Sequence, residues 1–158
     1  AIVTYWESVR AKAKIARLPV LLGTGAGAAL PPAAWSFGDN PALADQLLQL
    51  VPDGVKTGTS SALAEYAPDE AIPVVGELSI ILDGAGNPRA LIRTTAVDRV
   101  RFAEVTQAFA ASEGEDDRTL ESWRREHEKY WRRVLGDEGF SPSMELLCET
   151  FELIDPTD

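Results

Sequence analysis

Between Glu77 and Val97 the chain spells out a β-hairpin, and this constrains the fold more than any other feature. Glu77 to Leu82 is apolar and β-rich, Asp83-Gly-Ala-Gly-Asn-Pro is turn chemistry, and Ala90 to Val97 alternates, with Leu91 and Arg93 against Ile92 and Thr94. Such a pair must belong to a sheet that buries one face, so an antiparallel sheet lies at the centre of the expected fold.

Other elements are arranged around it. Tyr5, Trp6, Val9, Ala13 and Ala16 recur at helical spacing, which predicts a helix over residues 4–17. Residues 19–34 are rich in Ala, Gly and Pro and read as a connector. Gly23-Thr-Gly-Ala-Gly lacks the Gly-Lys-Ser/Thr of a phosphate-binding loop. Trp35-Ser-Phe-Gly predicts a short strand. Asn40-Pro41 opens a second helix whose buried face is Leu43, Leu47, Leu48 and Val51, and Pro52 and Gly54 end it. Residues 102–111 predict a short helix or loop. Residues 119–135 predict a helix opened by Asp116 or Asp117, and residues 144–154 a last strand. The expected class is α+β, a small barrel flanked by helices. The expected organisation is an N-terminal helix and connector (1–34), one domain (35–154) and a short tail (155–158).

Composition narrows the chemistry. One cysteine and one histidine among 158 residues exclude a disulfide framework and any metal site of several Cys or His. The single thiol fits a reducing compartment, so a cytoplasmic location is expected. The net charge of −10 is unevenly spread: residues 1–40 carry +2, residues 41–100 carry −4 and residues 101–158 carry −8. A polyanion is repelled by most of such a surface, so broad duplex nucleic-acid binding is not expected. Glycines and prolines interrupt the longest apolar stretch, Leu18 to Ala34, so no membrane span is expected. The same stretch follows Arg10, Lys12, Lys14 and Arg17, yet it is too short and Gly-rich for a signal peptide, and none is expected.

Three features carry chemistry. Lys56, in Gly54-Val-Lys-Thr-Gly-Thr59, is far in sequence from other bases, Arg17 before it and Arg89 after it. A buried lysine can act as a base and draw the proton from a hydroxyl such as Thr59. Residues three apart on a flat strand face opposite ways, so that pairing needs a kink at Gly58. Spacing alone favours the plainer alternative, a charge on an exposed strand edge. The acids of Glu113-Gly-Glu115-Asp116-Asp117 form a solvated loop and helix cap, or Glu113 and Glu115 orient Lys56 or hold a divalent cation. Trp123, His127 and Trp131 share one helix stripe, which favours a packed core over a surface that stacks on a base. Cys148 reads as buried and inert.

Taken in order, Trp35-Ser-Phe-Gly-Asp, Ala44-Asp-Gln-Leu-Leu, Gly54-Val-Lys-Thr, Pro73-Val-Val-Gly, Leu82-Asp-Gly-Ala-Gly-Asn-Pro, Glu113-Gly-Glu and Trp123-Arg-Arg-Glu-His resemble the ASCH domain proteins, in particular their longer Trp-x-Phe-Gly branch. The resemblance runs from about Trp35 to Leu153. It implies a PUA-like β-barrel with flanking helices and a link to RNA. Some members are described as ribonucleases. Others are amidohydrolases that deacylate N4-acetylcytidine with a Lys, a Thr three residues later and a Glu. By that resemblance the catalytic candidates are Lys56, Thr59 and Glu113, with Glu115 in reserve for the Glu. Phe37, Arg93 and Glu115 are the candidates for binding substrate. Shorter amidohydrolases follow the Thr with an Arg, where this chain has Ser60-Ser61-Ala62.

The leading expectation is therefore a hydrolase acting on an N4-acylcytidine-type amide, with no cofactor and no metal site. The alternatives are a ribonuclease for single-stranded RNA, in which a divalent cation can take part, and a non-catalytic reader of RNA or a modified nucleoside. The expected partner is a nucleoside or single-stranded RNA.

Overall fold

The computed structural model describes residues 1–12 and 31–154. The elements are α1 (Ile2–Lys12), β1 (Ala33–Trp35), α2 (Pro41–Gln49), β2 (Gly58–Ala62), β3 (Leu78–Leu82), β4 (Pro88–Arg101), α3 (Gln107–Ser112), α4 (Leu120–Leu135) and β5 (Glu145–Leu153). The strands hydrogen-bond in the order β1-β3-β4-β5-β2, so the class is α+β as expected. The part of the first predicted helix beyond residue 12 and the connector over residues 19–30 lie outside the described residues. No described helix is long and apolar enough to cross a membrane.

The chain divides into two compact units. Among the described residues the first takes 1–12, 31–52, 76–94 and 152–154. Here β3 and β4 form the predicted hairpin, with Leu78 opposite Arg93 and Ile80 opposite Leu91, and β1 pairs with β3 in parallel. Asp83 organises the turn. Its Oδ1 accepts the N–H groups of Ala85 and Asn87, each at 2.9 Å, and its Oδ2 accepts from the Arg89 guanidinium at 2.7 Å. The hydrogen bond from Arg89, helped by the two backbone N–H groups, holds the Asp83 carboxyl down at about 2. Trp6 and Val9 of α1 pack on Leu78, Ile80 and Leu91, all buried. Asn40 caps α2 by accepting from the Leu43 N–H at 2.9 Å, with Pro41 at the first helical position.

The second unit takes residues 53–75 and 95–151. Strand β2 pairs antiparallel with β5, Gly58 opposite Thr150 and Ala62 opposite Leu146. The core joins Ala62, Leu146 and Cys148 of the two strands to Phe102, Val105, Ala110, Trp123, Trp131 and Phe140. The cap of α4 differs from the expected one. Thr119 is the N-cap and accepts from the Ser122 N–H, while Asp117 supports it by accepting from the Thr119 N–H and hydroxyl. Glu65, just beyond β2, ties α4 to the strand: it accepts from the Trp131 indole N–H at 3.1 Å and from the Ala62 N–H at 2.7 Å.

Gly58 marks a close approach. A side chain there would collide with the Ser112 hydroxyl and come within 3.2 Å of the Glu149 carbonyl and of the Phe109 ring. Gly58→Ala is expected to destabilise the fold by about 1–3 kcal/mol, the usual range for overpacking. An unchanged denaturant midpoint would show that α3 gives way freely.

Candidate functional site

The candidate site lies wholly within the second unit. Lys56 follows the turn at Gly54, whose φ of 73° is a left-handed conformation that glycine adopts without strain. The backbone then docks on α3, with the Thr57 N–H donating to the Ser112 carbonyl at 2.7 Å. Gly114, just after α3, has φ 75°, and a side chain on it would meet the Val55 carbonyl at 3.0 Å. This packing of the residue before Lys56 against the residue after Glu113 brings the two functional side chains together.

Lys56 is 2% exposed, so the exposed strand-edge alternative does not describe it. Its ammonium donates to the Gly58 carbonyl at 2.9 Å, to the Glu113 carbonyl at 3.3 Å and to Glu113 Oε1 at 3.4 Å.

The hydroxyl beside this pair is that of Ser60. Its Oγ donates to Glu113 Oε2 at 2.6 Å. Strand β2 keeps its register with β5 through Gly58, Thr59 and Ser60, and Gly58 has no positive φ. Without the kink, neighbouring residues alternate faces, so Thr59 points opposite to Ser60. Thr59 pairs across the strands with Glu149. Lys56 and Ser60 both meet Glu113, while the expected partner Thr59 lies on the other face of β2.

Helix α4 supplies the rest. Trp123 and His127, one turn apart, stack with ring centroids 4.2 Å apart and an interplanar angle of 17°. The Trp123 indole N–H donates to Glu113 Oε2 at 2.7 Å. His127 Nε2 lies 3.3 Å from Glu113 Oε2 and 3.4 Å from Glu115 Oε2, and its Nδ1 lies 2.9 Å from the Trp123 carbonyl oxygen. Trp123 and Trp131 are core residues, as their spacing favours, whereas His127 also reaches both acids. The two roles of this stripe could have been separated in sequence only by knowing that Glu113 and Glu115 stand opposite it.

Electrostatics follow from this crowding. Burial works to raise the Glu113 carboxyl, but the charges of His127 and Lys56 and the hydrogen bonds from His127 and Ser60 outweigh it. The group is held well below the usual carboxylate range. Glu115 is pushed up by burial and by the charge of Glu113. Burial acts to lower His127, yet Glu113 and Glu115 together hold it above its ordinary value. Burial, followed by the charge of Glu113, drives the Cys148 thiol up to about 12, so it is neutral and inert as expected.

The other substrate-binding candidates lie in the first unit. Phe37 is buried, its ring edge-on to Trp35 at 5.2 Å. Arg93 Nη1 pairs with Glu152 Oε1 at 3.3 Å. Glu115, in the second unit, joins the constellation and is the most exposed of its acids, at 26% of its side chain.

Glu113, Glu115 and His127 are, among the described residues, a group whose ligand atoms lie within 4.8 Å of one another. A cation there would compete with the N–H and O–H donors that both Glu113 oxygens already face, the Lys56 ammonium among them. The same donors, a buried ammonium and a hydroxyl bonded to a carboxylate, are of the kind that can face a carbonyl oxygen.

Comparison with known proteins agrees with this fold. A family model described as ASCH domain matches residues 33–155. A crystal structure of a protein from Enterococcus faecalis is 38% identical, with a TM-score of 0.72, over 80% of this chain and 82% of that one. A crystal structure of an ASCH domain from Lactobacillus crispatus is 25% identical, with a TM-score of 0.73, over 90% of this chain and 94% of that one. No curated protein matches the chain.

Proposed function

We propose that this chain, which belongs to the ASCH domain family, hydrolyses the amide of an acylated cytidine or a closely related nucleoside. One observation carries the reading. A lysine and a glutamate, each 3% exposed or less, are held as an ion pair with a serine hydroxyl 2.6 Å from the carboxylate. Apolar residues of similar volume often serve stability as well as a buried pair does, so its presence here points to use.

The roles follow from the geometry. Glu113, which its donors hold as the carboxylate, orients the Ser60 hydroxyl and relays its proton toward N4 as the oxygen attacks the acyl carbon. Lys56 faces the negative charge that develops on the carbonyl oxygen. The C–N bond then breaks and the proton returns to the departing N4, leaving an acyl ester on Ser60 that water hydrolyses. The two carboxylates and two bases of the constellation offer no excess positive charge to a phosphodiester, which favours a neutral nucleoside over a long RNA strand.

Ser60 and Thr59 separate this arrangement from the one implied by resemblance. Ser60→Ala is expected to lower kcat/KM for N4-acetylcytidine by about 10⁴-fold, as far as loss of its proton acceptor does, because the nucleophile and the group that takes its proton act as a unit. Thr59→Ala is expected to stay within a few-fold of wild type. The reverse order in a chromatographic assay of cytidine release would return the nucleophile to Thr59. Cleavage of a labelled single-stranded RNA with no cytidine release would replace the reading by a ribonuclease. Binding without turnover would replace it by a reader.

A further inference from the structure

His127 has both ring nitrogens aimed at oxygens, a backbone carbonyl that only accepts and two carboxyls that only accept when ionised. Nδ1 faces the Trp123 carbonyl at 2.9 Å, and Nε2 stands between Glu113 Oε2 at 3.3 Å and Glu115 Oε2 at 3.4 Å. A neutral imidazole carries one N–H and leaves the other nitrogen as a lone pair. In this setting that lone pair would face carboxylate oxygens, in a ring only 12% exposed. The ring also lies flat on the Trp123 indole at 4.2 Å, an arrangement in which a cation is attracted by the face of the indole.

We propose that His127 is a positioning residue kept as a doubly protonated imidazolium through neutral pH. As that cation it holds the Glu113 carboxylate against Lys56 and Ser60 and ties Glu115 down beside them. Glu113 and Glu115, from the end of α3 and the turn after it, are the charged groups that act on the ring, and both favour its charged form. Lys56 from the segment before β2 and Glu126 from α4 act in turn on Glu115. The sign follows. A histidine raised in the folded state contributes stability that is fully present below about pH 6.5 and is lost as pH rises through the folded midpoint. Above that midpoint Nε2 loses its proton, Glu113 loses a donor, and the site loosens.

The catalytic consequence rests on the proposed hydrolase reading; the protonation state does not. Because the chain has one histidine, the ring nitrogens can be assigned without ambiguity by nitrogen-15 NMR on the full chain. Two protonated ring nitrogens are expected at pH 7.5, with a midpoint above the ordinary value. In Glu115→Gln the midpoint is expected to fall by about one unit, a tenfold loss of proton affinity. The wild-type titration stands by itself if that variant does not fold. A neutral ring at pH 7.5 protonated on Nδ1 alone, with Glu115 holding the shared proton, overturns the inference. So does a midpoint at or below about 6.5.

With turnover measured as well, the alkaline limb of kcat/KM is expected to follow the ring midpoint and to vanish in His127→Gln. A limb unchanged in that variant overturns the positioning role. Absence of turnover on every acylated nucleoside defeats the hydrolase reading and leaves the ring titration to decide this one.

Discussion

Replacing Glu113 by Gln is expected to do the most damage of any single isosteric change in the second unit. Four groups converge on this carboxylate: the Lys56 ammonium at 3.4 Å, the Ser60 hydroxyl at 2.6 Å, the Trp123 indole N–H at 2.7 Å and the His127 ring at 3.3 Å. All are donors, and a carboxamide offers one acceptor oxygen where the carboxylate offers two. Its NH₂ must face at least one donor, and Lys56 and His127 lose the charge that balances them. Removing one partner of a buried pair costs about 3–5 kcal/mol, so the urea midpoint should fall sharply. Catalysis should fall by about 10⁴-fold, because the group that takes the Ser60 proton is gone. A Glu113→Gln protein with wild-type stability would mean that the network is not held as described.

Lys56→Met is expected to give a large effect with a different balance. Methionine fills much of the same volume without charge. Glu113 keeps Ser60, Trp123 and His127, so the loss of stability should be smaller than for Glu113→Gln. Turnover should fall by about 10³-fold, the scale of losing a donor aimed at a developing oxyanion. The diagnostic outcome is this ordering: near-complete loss of activity with the milder loss of stability. Equal activity in Lys56→Met and wild type would remove Lys56 from the mechanism.

Much of the framework was readable from residues. Asn40-Pro41 starts α2 because a capping oxygen and a ring-fixed φ act within three residues. The hairpin around Asp83 closes through contacts no more than six residues apart. The site is a different matter, because the contacts that converge on Glu113 span 10 to 57 residues. Lys56 could be singled out by its isolation among acids and small residues, but its burial depends on α3 docking beside it. The choice of Ser60 over Thr59 depends on β2 holding an unbroken alternation through Gly58, which no local signal announces. His127 was visible as one of three rings on a stripe. That it bridges two acids follows only from where α3 ends and α4 begins, set by Gly114 and Thr119.

If the buried Lys56–Glu113–Ser60 constellation hydrolyses amides, wild-type protein incubated with N4-acetylcytidine should release cytidine steadily, measured by chromatography, and Lys56→Met should release it about 10³-fold more slowly. Equal release by both proteins, or none from wild type across a panel of acylated cytidines, would take the hydrolytic role away from these residues.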